Sequence, residues 1–204
     1  VVFGLKSALL PLHFWLPKTY AAASAPVAAL FAIMTKVGIY STMRVHTVVF
    51  GTDAGDLANI AVPWLWPLAI LTLIMGAIGV LASRGLRLTV ANLVIVSVGT
   101  LMLAVAMQRE AATSAALYYM MHTTLITGGL FLLADMISKQ RGKAEDRYVI
   151  SRKMTHGKFL SGAFFIAALT VIGMPPLSGF VGKILILQAT EGLMETAWVW
   201  TVVL

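Results

Sequence analysis

Cysteine is absent from the 204-residue chain, which excludes disulfides, thiolate metal sites and iron–sulfur clusters within it. Charge is nearly as scarce, with Asp, Glu, Lys and Arg together making up 11% of residues. The four histidines, at positions 13, 46, 122 and 156, are too scattered for a local His-x-x-x-His metal pair. There is no phosphate loop, nucleophile triad or cofactor box, so the chain is not read as a chemical catalyst and no cofactor or metal is assigned to it. Apolar surface is what it has in abundance. Hydrophobic residues make up 59% of the chain and mean hydropathy is +0.90, more than a water-facing surface can cover.

A helix needs about 20 apolar residues to cross the hydrocarbon of a bilayer. Apolar runs of that kind lie at roughly 1–16, 25–50, 60–82, 88–107, 112–137 and 158–190, and another starts near Thr196. The sequence therefore predicts an all-α polytopic membrane protein, a helical bundle forming one transmembrane domain over 1–204. Val1 lies inside the first run and Leu204 inside the last, so the expectation is a fragment of a longer chain.

The net charge of +7 invites a nucleic-acid reading, but its distribution argues for membrane topology. Lys18, then Arg84 and Arg87, then the cluster Lys139, Arg141, Lys143, Arg147, Arg152, Lys153 and Lys158 occupy alternate connections. The connections between them hold Asp53 and Asp56, then Arg109 and Glu110, then Glu191 and Glu195. Basic loops stay in the cytoplasm, which puts the loops near 18, 83–87 and 138–158 on that side of a bacterial inner membrane. The excess then serves orientation and contact with anionic membrane lipid, with no nucleic-acid partner.

Two segments cannot be plain helices. Pro11 removes a hydrogen bond from the first run and presses on the Ser7 carbonyl. The run over 158–190 is too long for one straight crossing and contains Gly173-Met174-Pro175-Pro176-Leu177-Ser178-Gly179. Non-helical backbone at membrane depth survives only where protein or internal water satisfies it, and such breaks recur at transporter ion sites. The plain alternative is a proline kink in a packed bundle.

Ionisable residues sit at depth near both breaks. At about 1.5 Å of rise per residue, Lys6 lies about 15 Å from the Trp15-Leu16-Pro17 end. Lys36 is equally deep after Pro26, and Lys183 about 12 Å before Glu191. His122 falls in the middle of its run, within Tyr118-Tyr119-Met120-Met121-His122-Thr123-Thr124. A lysine at a helix centre costs about 2.5–3.5 kcal/mol on insertion scales. Burial and neighbouring cations both favour a neutral amine, and imidazole titrates near neutrality already. Together these groups form a candidate proton relay. His13, on roughly the face of Lys6 and near an interface, is a proton access point or an interfacial anchor. Three relay members have a specific structural alternative, and Lys6 is the hardest to dismiss by depth. Lys36 could bind carbonyls of a neighbouring helix, Lys183 could cap carbonyls freed at the break, and His122 could be a satisfied core histidine. His46 and His156 lie at segment ends and are read as solvated.

The run Gly4-Leu5-Lys6-Ser7-Ala8-Leu9-Leu10-Pro11-Leu12-His13-Phe14-Trp15-Leu16-Pro17 resembles the lysine-bearing broken helix of antiporter-like proton-pumping subunits. Thr35-Lys36-Val37-Gly38-Ile39-Tyr40 and Gly173-Met174-Pro175-Pro176-Leu177-Ser178-Gly179-Phe180-Val181-Gly182-Lys183 resemble two further segments of the same superfamily. It includes the large membrane subunits of respiratory complex I and of multisubunit Mrp-type (Pha, Mnh) cation/proton antiporters. Complex I members carry an Asp after Trp-Leu-Pro, where this chain has Lys18, so it is more similar to the D-type branch of the antiporter subunits. The resemblance implies an inverted-repeat fold with broken helices and a hetero-oligomeric assembly. It implies a proton-translocating subunit that exchanges H⁺ for Na⁺ or K⁺, a secondary transporter. The alternative is a proton-pumping membrane subunit of a complex I-like NADH:quinone oxidoreductase. By the same resemblance Lys6 pairs with a Glu on an earlier helix outside this chain, Lys36 and His122 form the central relay, and Lys183 is the lysine of the second broken helix.

Overall fold

The computed structural model describes residues 2–51, 54–58, 60–193, 199, 200 and 203. The helix expected to start near Thr196 lies largely outside these residues, as does Asp53. Eight α-helices lie wholly within the described residues: α1 Val2–Ser7, α2 Trp15–Ala22, α3 Ala25–Val48, α4 Val62–Ala82, α5 Leu86–Ala106, α6 Glu110–Arg141, α7 Gly157–Ile172 and α8 Ser178–Gln188. Four of them, α3 to α6, are long and apolar enough to cross a membrane. The chain is an all-helical, multi-pass membrane protein.

The first apolar run, read over 1–16, is two helices joined by non-helical backbone at 8–14. The second of these continues past Pro17, because a proline in the first turn gives up an amide that has no intrahelical partner anyway. Lys18, expected in a connection, is therefore helical, and the connection shrinks to Ala23 and Ser24. Similarly, α6 runs on to Arg141 beyond the expected end at 137. Hydropathy stops there, but the helix is carried further by the Asp135–Lys139 pair one turn apart at 2.7 Å. Lys139 and Arg141 also lie in its last turn, against the negative end of the helix dipole.

α5 is the central helix, buried along almost its whole length. α4 crosses it where Gly76 faces Val96 and Gly99 faces Leu73, small residues that let two backbones approach closely. Its N-terminus is capped from a distant loop. The Asp146 carboxylate accepts from the Arg87 amide at 3.0 Å, and the Asp146 carbonyl accepts from the Leu86 amide at 2.9 Å, satisfying two amides the helix cannot satisfy itself. Arg84 accepts from the Tyr148 amide through its carbonyl, and Arg87 pairs with Asp135 at 2.5 Å. These contacts gather the 83–87 connection and the 142–156 loop at one end of the bundle. At the opposite end, the Arg109 guanidinium donates to the carbonyls of Ala189 at 3.3 Å and Glu191 at 2.6 Å. α7 starts at the first end and α8 finishes at the second, so the pair, interrupted at 173–177, makes one broken crossing.

Candidate functional site

The two interruptions are built by different local chemistry. In the first, Ala8 has φ of 58° and the Leu10–Pro11 peptide is cis. The amides released from helix geometry are still satisfied. Leu9 N–H donates to the Gly4 carbonyl at 2.9 Å, and Leu10 N–H donates to the Thr72 hydroxyl of α4 at 2.9 Å. The Ser7 hydroxyl returns to the Phe3 carbonyl at 2.8 Å, and the Trp15 indole donates to the Leu5 carbonyl at 3.2 Å. Protein groups replace the helix ladder, as a break at membrane depth requires. In the second interruption, α7 ends on Gly173, whose φ of 86° lies in the left-handed region that glycine adopts freely. Amides of Gly173 and Met174 both turn back to the Leu169 carbonyl at 3.1 Å. Pro175–Pro176 is cis, and α8 restarts at Ser178.

The predicted residues gather around these interruptions without touching one another. Lys6 lies in the last turn of α1 and its side chain is exposed on this chain. The α1 backbone there rests on α3 at Gly38, where a Cβ would stand 2.9 Å from the Ser7 amide nitrogen and 3.3 Å from Lys6 Cγ. Two residues earlier on α3, Lys36 is 2% exposed, and its ammonium donates to the Ser97 hydroxyl of α5. That hydroxyl in turn donates to the Val94 carbonyl at 2.7 Å. Ser97 lines a cavity of about 190 Å³ together with Tyr119, Thr123, Thr127 and Lys183. Lys183 is half-buried, its stem packed on the Gly173 turn, and its amine donates to the Val203 carbonyl at 3.0 Å. His122 shares a hydrogen bond with the Ser178 hydroxyl across the second interruption, Nδ1 to Oγ at 3.0 Å. His13 is 6% exposed and stacks on Phe14 at 4.2 Å between ring centroids.

Among the described residues, no hydrogen bond joins any two of Lys6, Lys36, His122, Lys183 and His13, and none of the three lysines forms an ion pair. Among the described residues, the buried imidazole nitrogens His13 Nδ1 and His46 Nδ1 have no hydrogen-bond partner. Buried polar atoms are nearly always partnered, so these two nitrogens are positions where water can bond. His46, read as solvated, is instead 8% exposed. It lies near the end of α3, but the turn of the chain through Ala61 and the first residues of α4 covers it. His156 is exposed.

Sequence reasoning passes over Ser97 and Thr72 and misplaces His46. The cluster Ser97-Val98-Gly99-Thr100 inside an otherwise apolar helix is the available signal for the first. Nothing in the local sequence marks Thr72 as the acceptor for an amide 62 positions away.

Over 1–204 the chain matches the model of the family described as NADH:quinone oxidoreductase/Mrp antiporter, transmembrane. It is 38% identical to the D component of a probable K⁺/H⁺ antiporter of Rhizobium meliloti, covering 90% of this chain and 37% of that protein. It is 40% identical to the D component of a Na⁺/H⁺ antiporter of Bacillus subtilis, covering 90% of this chain and 36% of the relative. The chain thus spans well under half the length of these relatives. In solved structures, the fold matches the Mrp complex of a Dietzia species with a TM-score of 0.80 at 25% identity, over 98% of this chain and 37% of that one. It matches respiratory complex I of Thermus thermophilus with a TM-score of 0.83 at 25% identity, over 98% and 42%. The chain belongs to the NADH:quinone oxidoreductase/Mrp antiporter transmembrane family.

Proposed function

We propose that this chain is the proton-translocating part of a subunit of a multisubunit Na⁺(K⁺)/H⁺ antiporter in a bacterial inner membrane. Protons move through Lys6, Lys36, His122 and Lys183, with His13 at the margin, and their passage drives export of Na⁺ or K⁺. The observation that carries this reading is Lys36, a fully buried amine with a single hydroxyl partner and no counter-ion among the described residues. A charge held this way is expensive, and its amine gains and loses a proton more readily than one locked in a pair. The cavity between Ser97 and Lys183 gives water a place to join the two lysines, and the packing at Gly38 keeps Lys6 beside the same helix. Cation–cation repulsion supplies coupling, since protonating one amine lowers the proton affinity of the next. The basic connections face the cytoplasm, and the neighbouring subunits of the assembly cover the lateral faces.

The test is Lys36→Ala in the full-length protein within its native complex. Cation-dependent proton exchange in membrane vesicles is expected to vanish while the complex still assembles. Exchange at the wild-type rate would remove Lys36 from the mechanism and with it this reading.

A further inference from the structure

A second cavity, about 320 Å³, opens between the first broken helix, α3, α4 and α5. It is separate from the one between Ser97 and Lys183. Its walls are mostly apolar residues, among them Gly4 and Leu9–Leu12 of the break, with the side chains of Thr42 and His46 as polar members. His46 is more than nine-tenths buried, and its Nδ1 has no hydrogen-bond partner among the described residues. Thr42 donates to the Gly38 carbonyl at 3.0 Å, which leaves its oxygen lone pairs available to water.

These residues follow one face of α3. Gly38, Thr42 and His46 recur every four residues, so they stack one turn above another. Gly38 is where α3 meets the backbone of Lys6 and Ser7. Thr42 and His46 line the cavity, and the row from His46 down to Gly38, beside the turn that holds Lys6, spans about 12 Å of α3 at 1.5 Å per residue. No other lining residue, from the broken helix, the 61–68 segment or α5, is titratable. The charged groups that flank the path are Lys6 at its inner end and Arg44 on the next face of α3. Arg44 lines a different cavity with Arg109 and Glu110.

We propose that His46 is the proton-loading residue of the first broken helix. Its neutral imidazole takes a proton from water on Nδ1 at the outer end of the bundle. The resulting imidazolium then returns that proton to water held beside the Thr42 hydroxyl, and the transfer ends at Lys6, which accepts it as its own proton passes on along the relay. This rests on the antiport reading above and adds to it a residue outside the lysine relay. An imidazole in this role contributes most when the external pH lies near its own titration range, because there it both takes up and returns a proton, whereas at alkaline pH it stays neutral.

The experiment measures exchange by the full-length complex in right-side-out vesicles with the external pH varied. His46→Gln keeps size and hydrogen bonding but removes titration. Its exchange is expected about tenfold below wild type at external pH of about 6.5 and within about twofold of it at about 8.5. Thr42→Val, nearly isosteric, is expected to fall in the same direction at the acidic end and serves alone if the His46 variant fails to assemble. A His46→Gln profile parallel to wild type, or a Thr42→Val profile that does not change with pH, overturns the inference. Failure of the antiport reading is distinguishable, since it shows as wild-type exchange in Lys36→Ala.

Discussion

The Lys36 ammonium donates to the Ser97 hydroxyl across the α3–α5 contact, and the Ser97 hydroxyl donates in turn to the Val94 carbonyl. A hydrogen bond to a charged group contributes about 1.5–3 kcal/mol, and here it is the only one the amine has among the described residues. Ser97 therefore fixes where the amine sits and which cavity it adjoins.

Ser97→Ala should lower exchange about tenfold, the rate equivalent of losing one such bond. Ser97→Thr, which restores the hydroxyl, should recover most of it. In a Lys36→Met background the Ser97→Ala change should add nothing further, because the pair acts as a unit. Vesicle exchange rates normalised to subunit content check all three, and additive losses would separate the two residues.

Gly38 and Gly129 give opposite expectations for the same substitution. At Gly38 a Cβ would stand 2.9 Å from the Ser7 amide nitrogen, which is backbone and has little room to yield. Gly38→Ala should destabilise by about 1–3 kcal/mol through overpacking and displace Lys6. At Gly129 a Cβ meets nothing within 4 Å, so Gly129→Ala should be neutral or gain up to about 1 kcal/mol of helix propensity. Thermal unfolding of the detergent-solubilised complex distinguishes them; equal midpoints would contradict the close approach of α1 to α3.

Loop sidedness is open to direct labelling, since the chain carries no cysteine of its own. With other reactive thiols removed from the complex, Lys153→Cys should react with an impermeant maleimide only from the cytoplasmic face. Glu191→Cys should react only from the outer face. Labelling of Lys153→Cys in intact cells would reverse the orientation drawn from the basic loops.

Part of the site is legible in the sequence. Pro11 and the Gly173–Gly179 run mark the two interruptions because a proline cannot donate to a helix ladder wherever it is placed. Lys6, Lys36, His122 and Lys183 stand out because depth along an apolar run is a local count. The same count misplaces His46, since distance from a helix end says nothing about which neighbouring segment folds over it. The extension of α6 to Arg141 escapes it too, because an ion pair at Asp135–Lys139 holds a helical turn that hydropathy does not register.

The sequence alone determined the solvent of this protein, the all-helical membrane class, the broken helices and the residues whose charge is costly there, all properties that composition and spacing carry within single segments. Tertiary structure decided that Lys36 meets Ser97, 61 positions away, that Asp146 caps a helix 59 positions before it, and that His46 faces a cavity. Those facts depend on how one helix is rotated and shifted against the next, which packing of whole surfaces sets and no local pattern encodes.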